Sequence, residues 1–378
     1  MKGPVIPPFY AGEIGRRGAA RLRTGLPVLP MHFGQPTAGA PKPAIEVAHR
    51  ILDSDSLGYW ESVPLRERLA EHYAETYGVQ IHPDRILLTA GASAALVAAF
   101  TALFRPGDRI ALVRPGYPAY RNTLSALGLV PVEIDCTREP GYRPTPQMLA
   151  ALDPAPAGFV LASPANPTGA MVDEEELAAF ARVCRERGIQ LISDEIYHGI
   201  TFRGRAASAL ECEPHAVVIN SFSKLYRMPG WRLGWMIVPQ EYAAPISSYL
   251  INMFLTPSTL SQHAALAAMA EREDLERWVQ VYARNRTRLI EGLSEMGIRG
   301  IAPPDGAFYL YADIGHLTQD SLQFCLRAID EIGVGLAPGI DFDVQDGHRF
   351  VRFSYAISPQ EVERAIELLG GWLPGYRS

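Results

Sequence analysis

Short runs of aliphatic and β-branched residues alternate with amphipathic stretches through the middle of the chain. Seven of the runs read as strands: residues 86–89, 109–113, 131–134, 158–162, 190–193, 216–221 and 233–238. Helical patterns lie between them, clearest over 93–104 and 174–187. In the second, Leu177, Phe180, Ala181 and Cys184 recur at i, i+3, i+4 and i+7, which is one face of a helix. This alternation predicts an α/β fold, a mainly parallel seven-stranded sheet sandwiched by helices. Past residue 275 the pattern changes. A long amphipathic helix over 275–295 precedes strands at 307–311 and 350–354 and helices near 321–331 and 359–369, an α+β arrangement. The first 45 or so residues are rich in Pro and Gly and read as irregular. The division expected is a large domain over 45–275 and a smaller α+β domain built from 1–44 and 276–378. There is no internal repeat and no low-complexity tract.

Composition narrows the function. The 378 residues are 48% hydrophobic and 20% charged, which excludes a disordered or fibrous chain and suffices for a sizeable core. A net charge of −6 argues against general nucleic-acid binding, and the one basic cluster, Arg16, Arg17, Arg21 and Arg23, reads as a solvated face. The four cysteines, at 136, 184, 212 and 325, lack metal-clip spacing, so no metal site is expected, and their sparseness suits a reducing compartment. Residues 1–8 hold no apolar core of a signal peptide, so the expected location is the cytoplasm and Asn285-Arg286-Thr287 is a chance glycosylation match. Two uncharged stretches, 86–104 and 242–270, are too interrupted by polar residues, and the second by proline, to span a membrane. Both read as core or subunit interface.

The sharpest chemical signal is Ser221-Phe-Ser-Lys224, after an apolar run and before Gly230-Trp-Arg232-Leu-Gly-Trp235. A lysine against apolar surroundings loses its proton more readily, and a neutral amine is what Schiff-base chemistry needs. Two hydroxyls and an arginine beside it suit a phosphate. Upstream stand Asp194-Glu195-Ile-Tyr197, Ser163-Pro-Ala-Asn166-Pro-Thr-Gly169, Tyr117 in Arg114-Pro-Gly-Tyr117, and Thr89-Ala-Gly91-Ala92-Ser93. Taken singly, each has a plain alternative: an acidic strand end facing solvent, a proline turn, a core aromatic, a strand-to-helix turn.

Together, and in this order, these motifs resemble the aspartate aminotransferase superfamily, the class I/II aminotransferases of pyridoxal phosphate (PLP) fold type I. The resemblance runs from about Gly34 to the helix after Arg352. It implies PLP held by Lys224 as a Schiff base, with Asp194 on the pyridine nitrogen and Tyr197 and Asn166 on the phenolic oxygen. It also implies Tyr117 stacked on the ring, and Gly91, Ala92, Ser93, Ser221 and Arg232 around the phosphate. Lys224, Asp194 and Tyr197 would be the catalytic set. Arg352, in Phe350-Val-Arg352-Phe-Ser-Tyr, would grip the substrate α-carboxylate with Gly34 and Asn166. Tyr59 would reach the phosphate of the other subunit of a homodimer, although the glycine expected after it is missing and its spacing is shorter.

The activity implied is ping-pong transfer of an amino group between an L-amino acid and a 2-oxo acid. A C–S β-lyase of the same fold is the alternative. A PLP-sensing regulator would need a helix-turn-helix domain ahead of a sheet domain that starts by about residue 45. The segment 249–257, where relatives specific for dicarboxylates often carry a second arginine, has no cation, which favours a neutral amino acid.

Overall fold

All seven apolar runs are strands of one sheet, their ends within two residues of expectation. The computed structural model describes residues 3–137 and 140–377. The strands are β1 (Ile86–Thr89), β2 (Arg109–Arg114), β3 (Val130–Asp135), β4 (Gly158–Ala162), β5 (Gln190–Asp194), β6 (Val217–Ser221) and β7 (Gly234–Ile237). Their order across the sheet is β1-β7-β6-β5-β4-β2-β3. Only β7 runs against its neighbours, β1 and β6. Ile110, Phe159, Ile192, Val218 and Ile219 are buried, and each such side chain removed from water contributes about 1.5–3 kcal/mol.

Helices cover the sheet. In Glu174–Arg187 the Asp173 carboxylate accepts from Glu176 N at 2.9 Å and the Glu176 carboxylate accepts from Asp173 N at 2.8 Å. This reciprocal cap is worth about 1 kcal/mol, and Gly188, with φ 64°, ends the helix. Most of the stretch 242–270 is helical, in Gln240–Phe254 and Thr259–Ala268, with a break at 255–258. At the end of the first, Tyr249, Ile251, Met253, Phe254 and Leu255 are exposed. No helix among the described residues is long and apolar enough to cross a membrane.

A second, antiparallel sheet carries Ala337–Pro338, Phe350–Ser354, Tyr309–Asp313 and Gly300–Ile301 in that order. The strand expected at 307–311 starts two residues later because Ala307 takes φ 58° and its amide donates to Ile200 O at 2.9 Å. The N-terminal stretch is not irregular: Tyr10–Arg23 is a helix. Its glycines hide it, since each costs about 1 kcal/mol in a helix interior. Gly15 is there for contact, because a Cβ would collide with the Phe33 ring. Asn285 is buried and its amide donates to Tyr355 O (3.0 Å) and Ile357 O (2.8 Å), so the sequon is structural. Apolar cores from Ala44 to Leu275 flank the large sheet, and another joins Ile14, Leu29 and Met31 to residues 282–376.

Candidate active site

Strands β1, β2, β4, β5 and β6 end at one edge of the sheet, at Thr89, Arg114, Ala162, Asp194 and Ser221. The reversed direction of β7 brings its beginning to the same edge, where Gly234 pairs with both Thr89 and Ser221. Five loops and the segment carrying Arg232 therefore converge where open α/β sheets bind ligands. The second sheet brings Arg352 to this edge, residues 32–35 fill the gap, and a cavity of about 390 Å³ remains. Gly34, Ala92, Ser93, Tyr117, Asn166, Asp194, Tyr197, Lys224, Arg232 and Arg352 all line it.

Lys224 Nζ donates to Gly34 O at 2.5 Å and lies 5.8 Å from the centre of the Tyr197 ring. Burial, then the nearby Arg352 and Arg232, lower its pKa to about 8 against the opposing pull of Asp194. Asp194 is 3% exposed. Its carboxylate accepts from Tyr120 OH at 2.5 Å and from Ile196 N at 3.1 Å, while burial raises its pKa. Tyr197 and Tyr309 share a hydroxyl hydrogen bond of 2.7 Å.

Arg352 is 1% exposed. It donates to Asn166 Oδ1 at 2.9 Å and to His32 O at 2.6 Å, and its guanidinium lies over the rings of Tyr309 (4.4 Å) and Phe342 (4.7 Å). Its Nε has no hydrogen-bond partner. Gly34 has no room for a Cβ, which would collide with Tyr309 Oη. Burial, then Arg352, push His32 down to about 4, so its imidazole is neutral at pH 7.

At the opposite end, the helix Ala92–Leu103 begins at Gly91, φ 80°, with no side chain capping it. The Arg232 guanidinium packs so closely on Gly91 that any Cβ there would collide with it. Uncapped amides, the positive end of a helix and an arginine make an anion site.

Three expected residues do not line the cavity: Gly91, which packs behind Arg232, and Ser221 and Tyr59. The Ser221 hydroxyl donates to Leu233 O at 3.1 Å and pairs with the Ser223 hydroxyl at 2.8 Å, and it is Ser223 that lines the cavity. Tyr59 is 81% exposed and sits beside Thr256–Leu260, outside the cavity of its own chain. Sequence reasoning gave no role to Tyr120, His32 or Tyr309, and counted Ser223 only as the second hydroxyl beside Lys224. A signal for Tyr120 existed: it falls one helical turn after Tyr117, and the two rings meet edge-on at 5.4 Å.

The family described as aminotransferase class I and II matches residues 32–369. Among characterised proteins, the chain is 43% identical to the valine–pyruvate aminotransferase of Mycobacterium tuberculosis, over 98% of this chain and 97% of that one. It is 32% identical to the aspartate/prephenate aminotransferase of Thermus thermophilus, over 96% and 95% respectively. The crystal structure of an aminotransferase from M. tuberculosis superposes with a TM-score of 0.95 at 43% identity, covering 98% of this chain and 97% of that one. With nearly its whole length matched and its fold shared throughout, the chain belongs to the class I and II aminotransferases.

Proposed function

We propose that this aminotransferase binds pyridoxal phosphate in the cavity and exchanges amino groups between a neutral, apolar L-amino acid and a 2-oxo acid. One observation carries the reading: a lysine of lowered pKa shares a cavity with a buried aspartate and a buried arginine. The donor set fits the cofactor. One end offers uncapped amides and Arg232, the other a buried carboxylate, and the Gly91 cradle tolerates no Cβ. Gly91, Ala92, Ser93 and Arg232, backed by Ser221 through Ser223, would hold the phosphate. Asp194 would face the ring nitrogen, Asn166 and Tyr197 the phenolic oxygen, Tyr117 the ring face, and Lys224 the aldehyde. When bound, the cofactor supplies an electron sink for the charge left at the substrate Cα.

The chain's own residues do the rest. The Arg352 fork receives the α-carboxylate, with Gly34 and Asn166 beside it, and so turns the Cα–H bond toward Lys224. Lys224 Nζ removes the Cα proton of the amino acid and returns a proton to Cα of the product in the second half of the exchange. Asp194, its direction set by Tyr120, would stabilise positive charge at the ring nitrogen of the bound cofactor.

Only a neutral Lys224 can capture the cofactor's aldehyde. With its pKa near 8, capture by cofactor-free protein is expected to slow about tenfold for each pH unit below 8 and to level off above it. Absorbance mixing experiments across pH check this. A rate still climbing toward 10.5 would indicate an ordinary lysine.

Phe9, Phe33 and Leu96 give the cavity apolar walls, and its charged cationic lining is Lys224, Arg232 and Arg352, none of them spare to meet a side-chain carboxylate. The M. tuberculosis relative's name, valine–pyruvate, agrees with this. Valine and leucine are therefore expected to exceed aspartate and glutamate about tenfold in kcat/KM. Mixing the enzyme with single amino acids should release stoichiometric 2-oxo acid without ammonia. Preference for aspartate would overturn the substrate class. Catalytic pyruvate and ammonia from a cysteine conjugate would instead establish the β-lyase.

The large part, 45–275, supplies the cofactor site, and the smaller part, 1–44 with 276–378, supplies Gly34 and Arg352. The reading includes a cytoplasmic homodimer in which Tyr59 reaches the partner's phosphate site. The exposed Tyr249, Ile251, Met253, Phe254 and Leu255 support such an interface.

A further inference from the structure

Three consecutive residues lie outside the cavity lining, yet each contacts a segment that leads to it: one meets Arg352 directly, and the others hold the N-terminal helix and the end of β2. The Asp341 carboxylate accepts from Tyr10 N at 2.7 Å and Ala11 N at 2.9 Å, in the first turn of the N-terminal helix. The residue before that turn, Phe9, lines the cavity. The Phe342 ring lies against the Arg352 guanidinium, and Phe342 O accepts from Gly116 N at 3.1 Å, next to Tyr117. Asp343 is buried and accepts from Arg114 at 2.8 Å, at the end of β2. It also accepts from Gln345 N (2.9 Å) and Asp346 N (3.1 Å), which closes its own turn. Arg114 is held by Asp135 as well, at 2.6 Å, and by Asp346 of the same turn at 3.1 Å, an exposed partner where Asp343 is a buried one.

We propose that Asp341-Phe342-Asp343 is a positioning element that presets the substrate-carboxylate site, with Asp343 as its anchor. By tying its turn to Arg114, Asp343 keeps the Phe342 ring under Arg352 and the Phe342 carbonyl on the loop that carries Tyr117. The arginine fork is then ordered before substrate arrives, which lowers the cost of binding. None of the three residues moves a proton or meets the substrate. The inference rests on Arg352 being the carboxylate anchor.

The test is steady-state kinetics of the holoenzyme with its best neutral amino acid, in D343N, R352K and the double variant, with cofactor retention and thermal unfolding measured alongside. D343N keeps the side-chain shape and removes the charge. It is expected to raise KM about tenfold with kcat within about threefold, the pattern of lost ground-state binding, while cofactor retention stays unchanged. In the R352K background it should add less than about threefold, because both act through one group. An unchanged KM in D343N beside a raised KM in R352K overturns the proposal and leaves the carboxylate anchor standing. An unchanged KM in R352K overturns the anchor and the proposal with it. Parallel loss of kcat and cofactor in D343N reduces Asp343 to a structural role and overturns the proposal. If D343N does not fold, F342L removes the ring face and carries the same expectations and the same refutations.

Discussion

Replacing Lys224 with alanine is expected to slow transamination by at least about 10³-fold, since nucleophile and general base are lost together. Structure should survive. The side chain is half-buried against the cavity and gives its one direct hydrogen bond to Gly34 O, so truncation enlarges space that is already open. The Arg352 fork and the Gly91–Arg232 cradle are built from other elements, so cofactor and amino acid should still bind without a covalent link. A small primary amine added to the variant should enter the vacated space and restore part of the rate. Single-turnover absorbance with and without ethylamine checks both points. A variant that keeps a tenth of its activity would remove Lys224 from the chemistry.

The second large effect is expected from Asp194→Asn, a fall in kcat of about 10²–10³ with the cofactor still held. Asparagine matches aspartate in shape, and its one carbonyl oxygen can still accept from Ile196 N, which donates to Oδ1 at 3.1 Å, while its NH2 takes the place of Oδ2 and can donate to the Tyr120 hydroxyl that now donates there at 2.5 Å. What disappears is a negative charge inside a buried site, where field strength is high. The loss should therefore fall on kcat more than on KM, because charge develops as the Cα proton leaves. Steady-state kinetics beside a cofactor absorbance titration separates the two. Equal kcat in the variant would sink the role given to Asp194.

Strand positions were legible because buried strands write themselves as short apolar runs, as at 158–162 and 190–194. Direction was not. The run that forms β7 resembles the others, yet it lies antiparallel between β1 and β6, a choice made by its neighbours. Lys224 and Asn166 were legible because they stand in motifs just after strands, Asp194 because it ends one, and Arg352 because it alternates with buried Val351 and Phe353 inside one. Tyr309 and His32 were invisible because their contacts cross the chain: Tyr309 meets Tyr197 112 residues away, and the His32 carbonyl meets Arg352. The N-terminal helix was missed because Gly12, Gly15 and Gly18 lower its propensity, while close packing on Phe33 and Val28 compensates. Ser223 lines the cavity and Ser221 stands behind it, hydrogen-bonded to the Ser223 hydroxyl at 2.8 Å, because the turn after β6 carries the later serine outward.

The surroundings of Arg352, the proposed carboxylate anchor, are stitched from the two ends of the chain. Arg352 donates to His32 O across 320 residues, Ser354 N donates to Met31 O at 2.9 Å, and Thr37 N donates to Ala356 O at 2.9 Å. Closing such long loops carries an entropic cost that local contacts avoid, and non-local pairs form late in folding. Synthesis at about 5–20 residues per second delivers the last strand of the large sheet, ending at Ile237, several seconds ahead of Arg352. A nascent chain can thus assemble the large sheet that floors the cavity while its N-terminal segment still waits for a partner not yet translated. On the function proposed, the order of translation leaves the growing polypeptide without its carboxylate anchor until the final strand emerges.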